Sequence, residues 1–561
     1  MRKKVIFIIL LIIILFHVGN NIRYLSLCPL AEGKDSYAHV YIFMGFLHLI
    51  STGQDELCSI TRTNWIKSIS DISADYPPFF YFVALLMQLM GSFIINNGAL
   101  FTSTLAFAVL LFSVYKLGSI RDEQTGALAA LICSLYPIIF VSSRHFNIEM
   151  TLAAMVSLGV WILYKTDFFE NRIFSICLGV IVGLGMLTKQ TFFMYLLGPF
   201  SFMCLLSLKK DTEKCVSLRK ENILRALTVA AALAALFYLN KNMWVSMINR
   251  SQFSGGALGD NLLSWGHIFY YIRSLETLLE PVFLVVFILS LFMIRKSKEF
   301  FLQILMLWLI VPFCLFMFFK LKYAEYAIAY LPAMALISAQ GILSINNKLS
   351  RNLIIVFIVV AGLSNFFMIS NGRKTFFYAR CYAENPIVNI IDHEKFQDTK
   401  DAATFEKVAK QIGNSNVLVG VFYDDAGGKF PAYLIRKVFA HSAKKSKIID
   451  FFNCVPGFFD SLELFDIMIF VTCSEKDWID KESFRYFIEK VNKVNFSKLY
   501  LSEDKNVFQQ QIVGMNRVQI PVKDLERLIT MKDENFTKLY SMEFDDGIAQ
   551  KVYIYKRVER R

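Results

Sequence analysis

MRKKVIFIILLIIILFHV, residues 1–18, decides what kind of fold this chain adopts. Three basic residues are followed by fourteen positions without a formal charge, so the segment has no polar face to turn toward water. Continued to Arg23, it is long enough for a helix to cross a hydrocarbon core of about 30 Å. A basic start ahead of an apolar run reads either as a cleaved signal peptide or as a retained anchor. LSLC at 25–28 is a poor cleavage site, because Leu27 stands where a small residue is wanted. The reading adopted is an uncleaved first helix with a cytoplasmic N-terminus, which places 24–75 as an extracytoplasmic loop with interfacial helices.

The rest of the chain repeats the signal. Of 561 residues, 55% are hydrophobic and 15% aromatic, and only 19% are charged, too few for a soluble enzyme of this length. The apolar residues fall in runs near 79–95, 99–117, 126–142, 147–164, 173–188, 190–208, 222–239, 278–294, 300–318, 324–343 and 353–371. These predict a polytopic α-helical membrane domain over 1–373 with about 11–13 transmembrane helices. Basic loops at 209–220, 295–298 and 346–351 fix the orientation by the positive-inside rule. Helix counting from them conflicts with an external 24–75 loop unless one early segment does not cross. The Tyr-Pro-Pro-led segment at 76–95 is the candidate, since two prolines distort a helix start.

Residues 374–561 turn polar and predict a soluble extracytoplasmic α/β domain. NVLVGVFY at 416–423 and FDIMIFVTC at 465–473 read as buried strands, and SFRYFIEKVNKV at 483–494 as an amphipathic helix. The runs TKLYSMEF and AQKVYIYKRV flank Asp545-Asp546-Gly547, a hairpin signal. Asp424-Asp425-Ala426-Gly427-Gly428 follows a strand but lacks the order of a phosphate-binding glycine loop, and reads as a plain loop.

The net charge of +13 sits in short loops and the tail, with no basic stripe interleaved with aromatics, so nucleic acid is not the expected partner. Cys28 and Cys58 flank the external loop and could pair there; no Cys/His spacing announces a metal.

Chemistry-bearing residues gather in four patches on one side of the membrane under this topology. AEGKDSYAHVYIFMGFLHLISTGQ, 31–54, carries Asp35 near its start. Asp75-Tyr76-Pro77-Pro78 enters the next helix. Arg144-His145-Phe146-Asn147-Ile148-Glu149 joins two apolar runs. His267, Tyr270, Tyr271 and Arg273, with Lys320, Lys322, Tyr323 and Tyr326, form the fourth. Singly each has a plain account: a solvated loop charge, a helix-starting proline, an Arg–Glu pair, an interfacial tyrosine belt. Together they supply carboxylates, cations and phenols at one interface.

In this order the patches resemble the GT-C superfamily of membrane glycosyltransferases, and within it glycosyltransferase family 39, which contains protein O-mannosyltransferases and the bacterial aminoarabinose transferase. Asp35 in KDSYAHV matches the family's early acidic residue, YPPFFYFV at 76–83 its proline pair, and Glu149 in SRHFNIEMTLA its second acidic residue. GLGMLTKQ at 183–190 matches a Gly-Leu-x-x-Leu-Thr-Lys run, and Tyr326 to Pro332 a late Tyr–Pro helix. The family's Asp-Glu pair is Asp35-Ser36 here, and Tyr76 stands where some relatives carry a charge. The resemblance implies an inverting transferase that moves a sugar from a polyprenyl-phosphate donor to an acceptor hydroxyl of a glycolipid, polysaccharide or protein on the outer face. Its location would be the plasma (inner) membrane.

By the same resemblance Asp35 is the base and Glu149 a supporting carboxylate or metal ligand. Arg273, Lys322, Tyr326 and Lys189 are the donor-phosphate candidates, with Asp75, Tyr76, Pro77, Pro78, Arg144 and His267 as further site residues. Lys189 reads equally as a snorkelling lysine. A divalent metal ion is the one cofactor left open. The rival readings are a transporter or flippase, which would show internal repeats and mid-helix charges, and an inactive relative.

Overall fold

The structure, a computed structural model, describes residues 3–27, 39, 43, 76–91, 101–209, 213–239, 265, 269–295, 299–319 and 324–370, and five strands between 418 and 557. The chain divides into two compact units, Met1–Asp392 and His393–Arg561.

The first unit is helical throughout its described residues. Six helices are long and apolar enough to cross a membrane: Lys4–Arg23, Phe101–Gly118, Ile148–Lys165, Phe192–Lys209, Phe300–Met317 and Lys348–Ser370. A seventh, Tyr270–Ile294, is bent by 96°. Glu280 precedes Pro281 inside it with φ 66°, and a proline both removes a backbone donor and excludes the helical conformation before it.

Several other expected crossings are shorter as helices, and Glu213–Tyr238, though 26 residues long, is not among the helices apolar enough to cross, so six or seven spans stand among the described residues against the 11–13 expected. The run at 126–142 is two helices, Glu123–Leu135 and Pro137–Ser142, divided at Tyr136 where Pro137 takes the first helical position. The run at 324–343 is a 3-10 turn, Ala324–Ala327, then a helix from Leu331 to Leu343. Phe79–Gly91, the helix behind the two prolines, has 13 residues, which at 1.5 Å each spans about 20 Å.

The helix Ile148–Lys165 is the hub, with 78% of its residues buried. It packs on Phe101–Gly118, Arg172–Met186 and Phe192–Lys209. The first and last helices are only 22% buried and present Phe7, Ile8, Leu11, Leu353, Phe357 and Val360 outward, the apolar face a lipid-facing helix needs. Arg172–Met186 packs closely on Glu213–Tyr238. A Cβ on Gly183 would stand 2.7 Å from Leu233 Cβ, so only glycine allows this approach.

The 209–220 stretch, expected as a basic loop, is helical from Glu213 onward. Its Arg219 is buried: it pairs with Glu170 and donates to Ser207 O at 3.2 Å, locking the connection after Lys165.

In the second unit a mixed sheet runs in the order β2-β1-β3-β5-β4. β1 (Leu418–Tyr423) pairs in parallel with β2 (Lys447–Phe452) and with β3 (Ile467–Thr472). β4 (Phe536–Phe544) and β5 (Gln550–Arg557) form the expected antiparallel hairpin, and β5 pairs antiparallel with β3. The helix expected at 483–494, the 424–428 loop and the Cys28–Cys58 pair lie outside the described residues.

Candidate functional site

The site is built at one end of the helical unit, from helix starts and the turns that join them. Glu149 occupies the first turn of the Ile148–Lys165 helix, where the macrodipole favours a carboxylate. Asn147 caps that helix: its side-chain oxygen accepts from Glu149 N at 2.8 Å. The cap is itself held, since Asn147 N donates to Ser103 Oγ at 3.2 Å. Asn21 of the first helix donates to Thr104 Oγ1 at 3.0 Å and to the carbonyl of Ser143, just ahead of the cap, at 3.2 Å. Buried amides and hydroxyls thus fix the approach to Glu149 from three helices.

Opposite Glu149 stands Lys189, in the turn between Arg172–Met186 and Phe192–Lys209. Its ammonium donates to Glu149 Oε1 in a buried ion pair; Lys189 is 7% and Glu149 4% exposed. Lys189 is therefore not a snorkelling lysine. The ammonium also lies 4.8 Å from the centroid of the Tyr326 ring and 5.9 Å from that of Tyr76. Burial alone would lower the ammonium's pKa, but the Glu149 carboxylate together with the Tyr326 and Tyr76 phenols raises the group above the ordinary lysine value. Losing one member of such a pair leaves an unpaired buried charge, at roughly 3–5 kcal/mol.

The GLGMLTKQ run explains how Lys189 is delivered there. Gly185 lets the buried Phe192 ring fold back over the helix end, where a Cβ would lie 2.4 Å from the ring. The last carbonyls of Arg172–Met186 then find partners outside their own helix. Met186 O accepts from Tyr238 Oη at 2.9 Å, and Leu187 O accepts from Phe79 N at 2.9 Å. The second bond ties the Lys189 turn to the helix that Tyr76-Pro77-Pro78 leads. Pro77 and Pro78 are buried there, and Tyr76 is half-buried.

Two further pieces close the group. Tyr195 donates its hydroxyl to Tyr326 O at 2.8 Å, and Trp308 Nε1 donates to Ala329 O at 3.1 Å, pinning the 3-10 turn that carries Tyr326. The His39 ring packs on Tyr76 with centroids 4.7 Å apart, and its Nδ1 lies 2.8 Å from Tyr81 Oη. Sequence reading left His39 unassigned and passed over Tyr195; an aromatic inside an apolar run carries no signal of its partner.

Other candidates fall elsewhere. The Arg144 guanidinium lies between the Phe140 and Phe366 rings, at 5.2 and 5.1 Å, and donates to Ser370 Oγ at 2.6 Å. It anchors the end of the last membrane helix. Arg273 is exposed in the first turn of Tyr270–Ile294 and shares no described contact with Glu149 or Lys189. Asp35, Asp75, His267 and Lys322 lie outside the described residues. Among the described residues no group of three or more His, Cys, Asp or Glu could hold a metal ion.

Residues 75–239, under a third of the chain, match the family of dolichyl-phosphate-mannose-protein mannosyltransferases. The matched region contains Tyr76-Pro77-Pro78, Glu149 and Lys189, and the chain resembles membrane glycosyltransferases of the GT-C superfamily. No curated protein matches. Among solved structures, ArnT from Cupriavidus metallidurans bound to undecaprenyl phosphate is 12% identical, with 74% of this chain and 85% of that one covered and a TM-score of 0.45. The apo form of the same protein is 13% identical, covering 84% and 95%, with a TM-score of 0.47. The Archaeoglobus fulgidus oligosaccharyltransferase with zinc and sulfate is 10% identical, covering 70% and 59%, with a TM-score of 0.41.

Proposed function

We propose that the protein is an inverting membrane glycosyltransferase that moves a sugar from a polyprenyl-phosphate donor to an acceptor hydroxyl. The observation that carries this reading is the gathering of Tyr76, Glu149, Lys189 and Tyr326 at one end of the helical unit, three of them within the residues that match a family named for a dolichyl-phosphate sugar donor. A lipid-linked donor presents its phosphate at the membrane surface, which is where helix ends lie.

The acceptor hydroxyl attacks the anomeric carbon, and the bond from that carbon to the phosphate oxygen breaks with its electron pair leaving on the lipid phosphate. Attack from the opposite face inverts the configuration. A carboxylate takes the hydroxyl proton as the new bond forms, and a carboxylate nearby stabilises positive charge developing on the sugar. Asp35 is assigned the first role, four residues ahead of the His39 that packs on Tyr76, and Glu149 is a supporting carboxylate whose charge Lys189 balances. The leaving phosphate is assigned to Arg273, Lys322 and Tyr326, since guanidinium and ammonium groups hold phosphate oxygens well.

Charge distribution supports an extracytoplasmic site. Lys165, Arg172, Lys209 and Lys348 all lie at helix ends opposite the Glu149–Lys189 end, as the positive-inside rule asks of a cytoplasmic face. This orientation puts the N-terminus in the cytoplasm and the second unit outside. Replacing Asp35 with Asn tests the assignment in membranes supplied with polyprenyl-phosphate-linked labelled sugars. Transfer should be lost; transfer at the wild-type rate refutes Asp35 as the base.

A further inference from the structure

We infer that Lys189 is a positioning residue and not a ligand of the donor phosphate: it draws the Glu149 carboxylate and the Tyr76 and Tyr326 rings into one constellation. This rests on the proposed function, because what Lys189 positions is that site. The four residues come from separate parts of the chain, and the Lys189 ammonium meets the other three. Its charge is also already matched. An ammonium buried against a carboxylate forms a pair of zero net charge, so an arriving phosphate meets attraction and repulsion together. Arg273 is exposed and shares no described contact with Glu149, so its positive charge is left to the phosphate in this reading.

The turn is restrained as well. Leu187 O is held by Phe79 N, Met186 O by Tyr238, and Phe192 is folded against Gly185, so the backbone that carries Lys189 cannot move outward without breaking these contacts. Tyr326 is fixed independently through Tyr195. Lys189 therefore links the Tyr-Pro-Pro entrance to the late tyrosine turn, and its loss would remove the cation that the two rings share while leaving the Glu149 charge buried without its ammonium.

The test uses the full-length protein in detergent, with undecaprenyl phosphate as the probe and native mass spectrometry as the binding readout, beside thermal unfolding. Lys189→Met should lower the unfolding midpoint and weaken binding about tenfold or more. Lys189→Arg keeps the charge that Glu149 and the two ring faces take up, and should lose less in midpoint and in binding than Lys189→Met. In Glu149→Gln/Lys189→Met no unpaired charge remains and the thioether packs on the two rings, so midpoint and binding should both recover most of the loss. If the double variant regains its midpoint but binds as poorly as Lys189→Met, the ammonium touches the phosphate and the inference falls. A midpoint loss in the double variant equal to the sum of the losses of Lys189→Met and of Glu149→Gln alone overturns it too. If the wild type does not bind the probe, the proposed function fails, while the unfolding cycle still decides whether Lys189 and Glu149 act as a pair.

Discussion

Replacing Gly185 with Ala sets two effects of opposite sign against each other in the turn that carries Lys189. Alanine in a helix gains roughly 0.5–1 kcal/mol over glycine. Against this, the new Cβ would lie 2.4 Å from one Phe192 ring carbon and 2.5 Å from two more, where carbon atoms rest at about 3.5–4.0 Å. Phe192 is fully buried, so relief requires the ring or the turn to move by about 1 Å. Overpacking of this kind costs about 1–3 kcal/mol, and the net loss reaches roughly 2 kcal/mol. Gly19 is the control, exposed on the first helix with nothing within 4 Å of its added Cβ; Gly19→Ala should keep the gain without the clash. Thermal unfolding of both variants in the same detergent gives the comparison, and undecaprenyl-phosphate binding reads whether Lys189 has moved. Phe192→Leu in the Gly185→Ala background should return part of the stability. If Gly185→Ala is as stable as Gly19→Ala and binds the lipid unchanged, the account of how this run delivers Lys189 is wrong.

Asn147→Ala removes the cap on Glu149 N and should cost about 1 kcal/mol in thermal or denaturant unfolding, with Asn147→Ser retaining most of it; equal stability of the three proteins counts against the cap. Tyr195→Phe leaves the Tyr326 carbonyl without its donor and should cost about 1–3 kcal/mol, together with weaker undecaprenyl-phosphate binding. Unchanged stability and binding would mean that Tyr195 does not hold the Tyr326 turn.

The sequence by itself determined that the first unit is a bundle of membrane helices. Apolar run length is a local property, and the observed helices Phe101–Gly118, Ile148–Lys165 and Phe300–Met317 start and stop within a few residues of their runs. Strands at 418–423 and 467–472 and the terminal hairpin were legible for the same reason, since short apolar runs and turn residues act locally. The sequence also brought Glu149, Lys189, Tyr76 and Tyr326 forward as candidates, and Asp35, Asp75, His267 and Lys322 rest on that reading.

Which of them meet was decided by tertiary structure. Glu149 and Lys189 are separated by 40 residues and a complete helix, and their pairing depends on how the Gly183 and Gly185 contacts seat one helix end against another. Arg144 lies five residues from Glu149 in the chain, yet it is spent on Ser370, 226 residues away. A charge carries no mark of its partner along the chain. In a low-dielectric interior the partner is whichever opposite group or aromatic face the packing brings within reach, and only the folded bundle sets that.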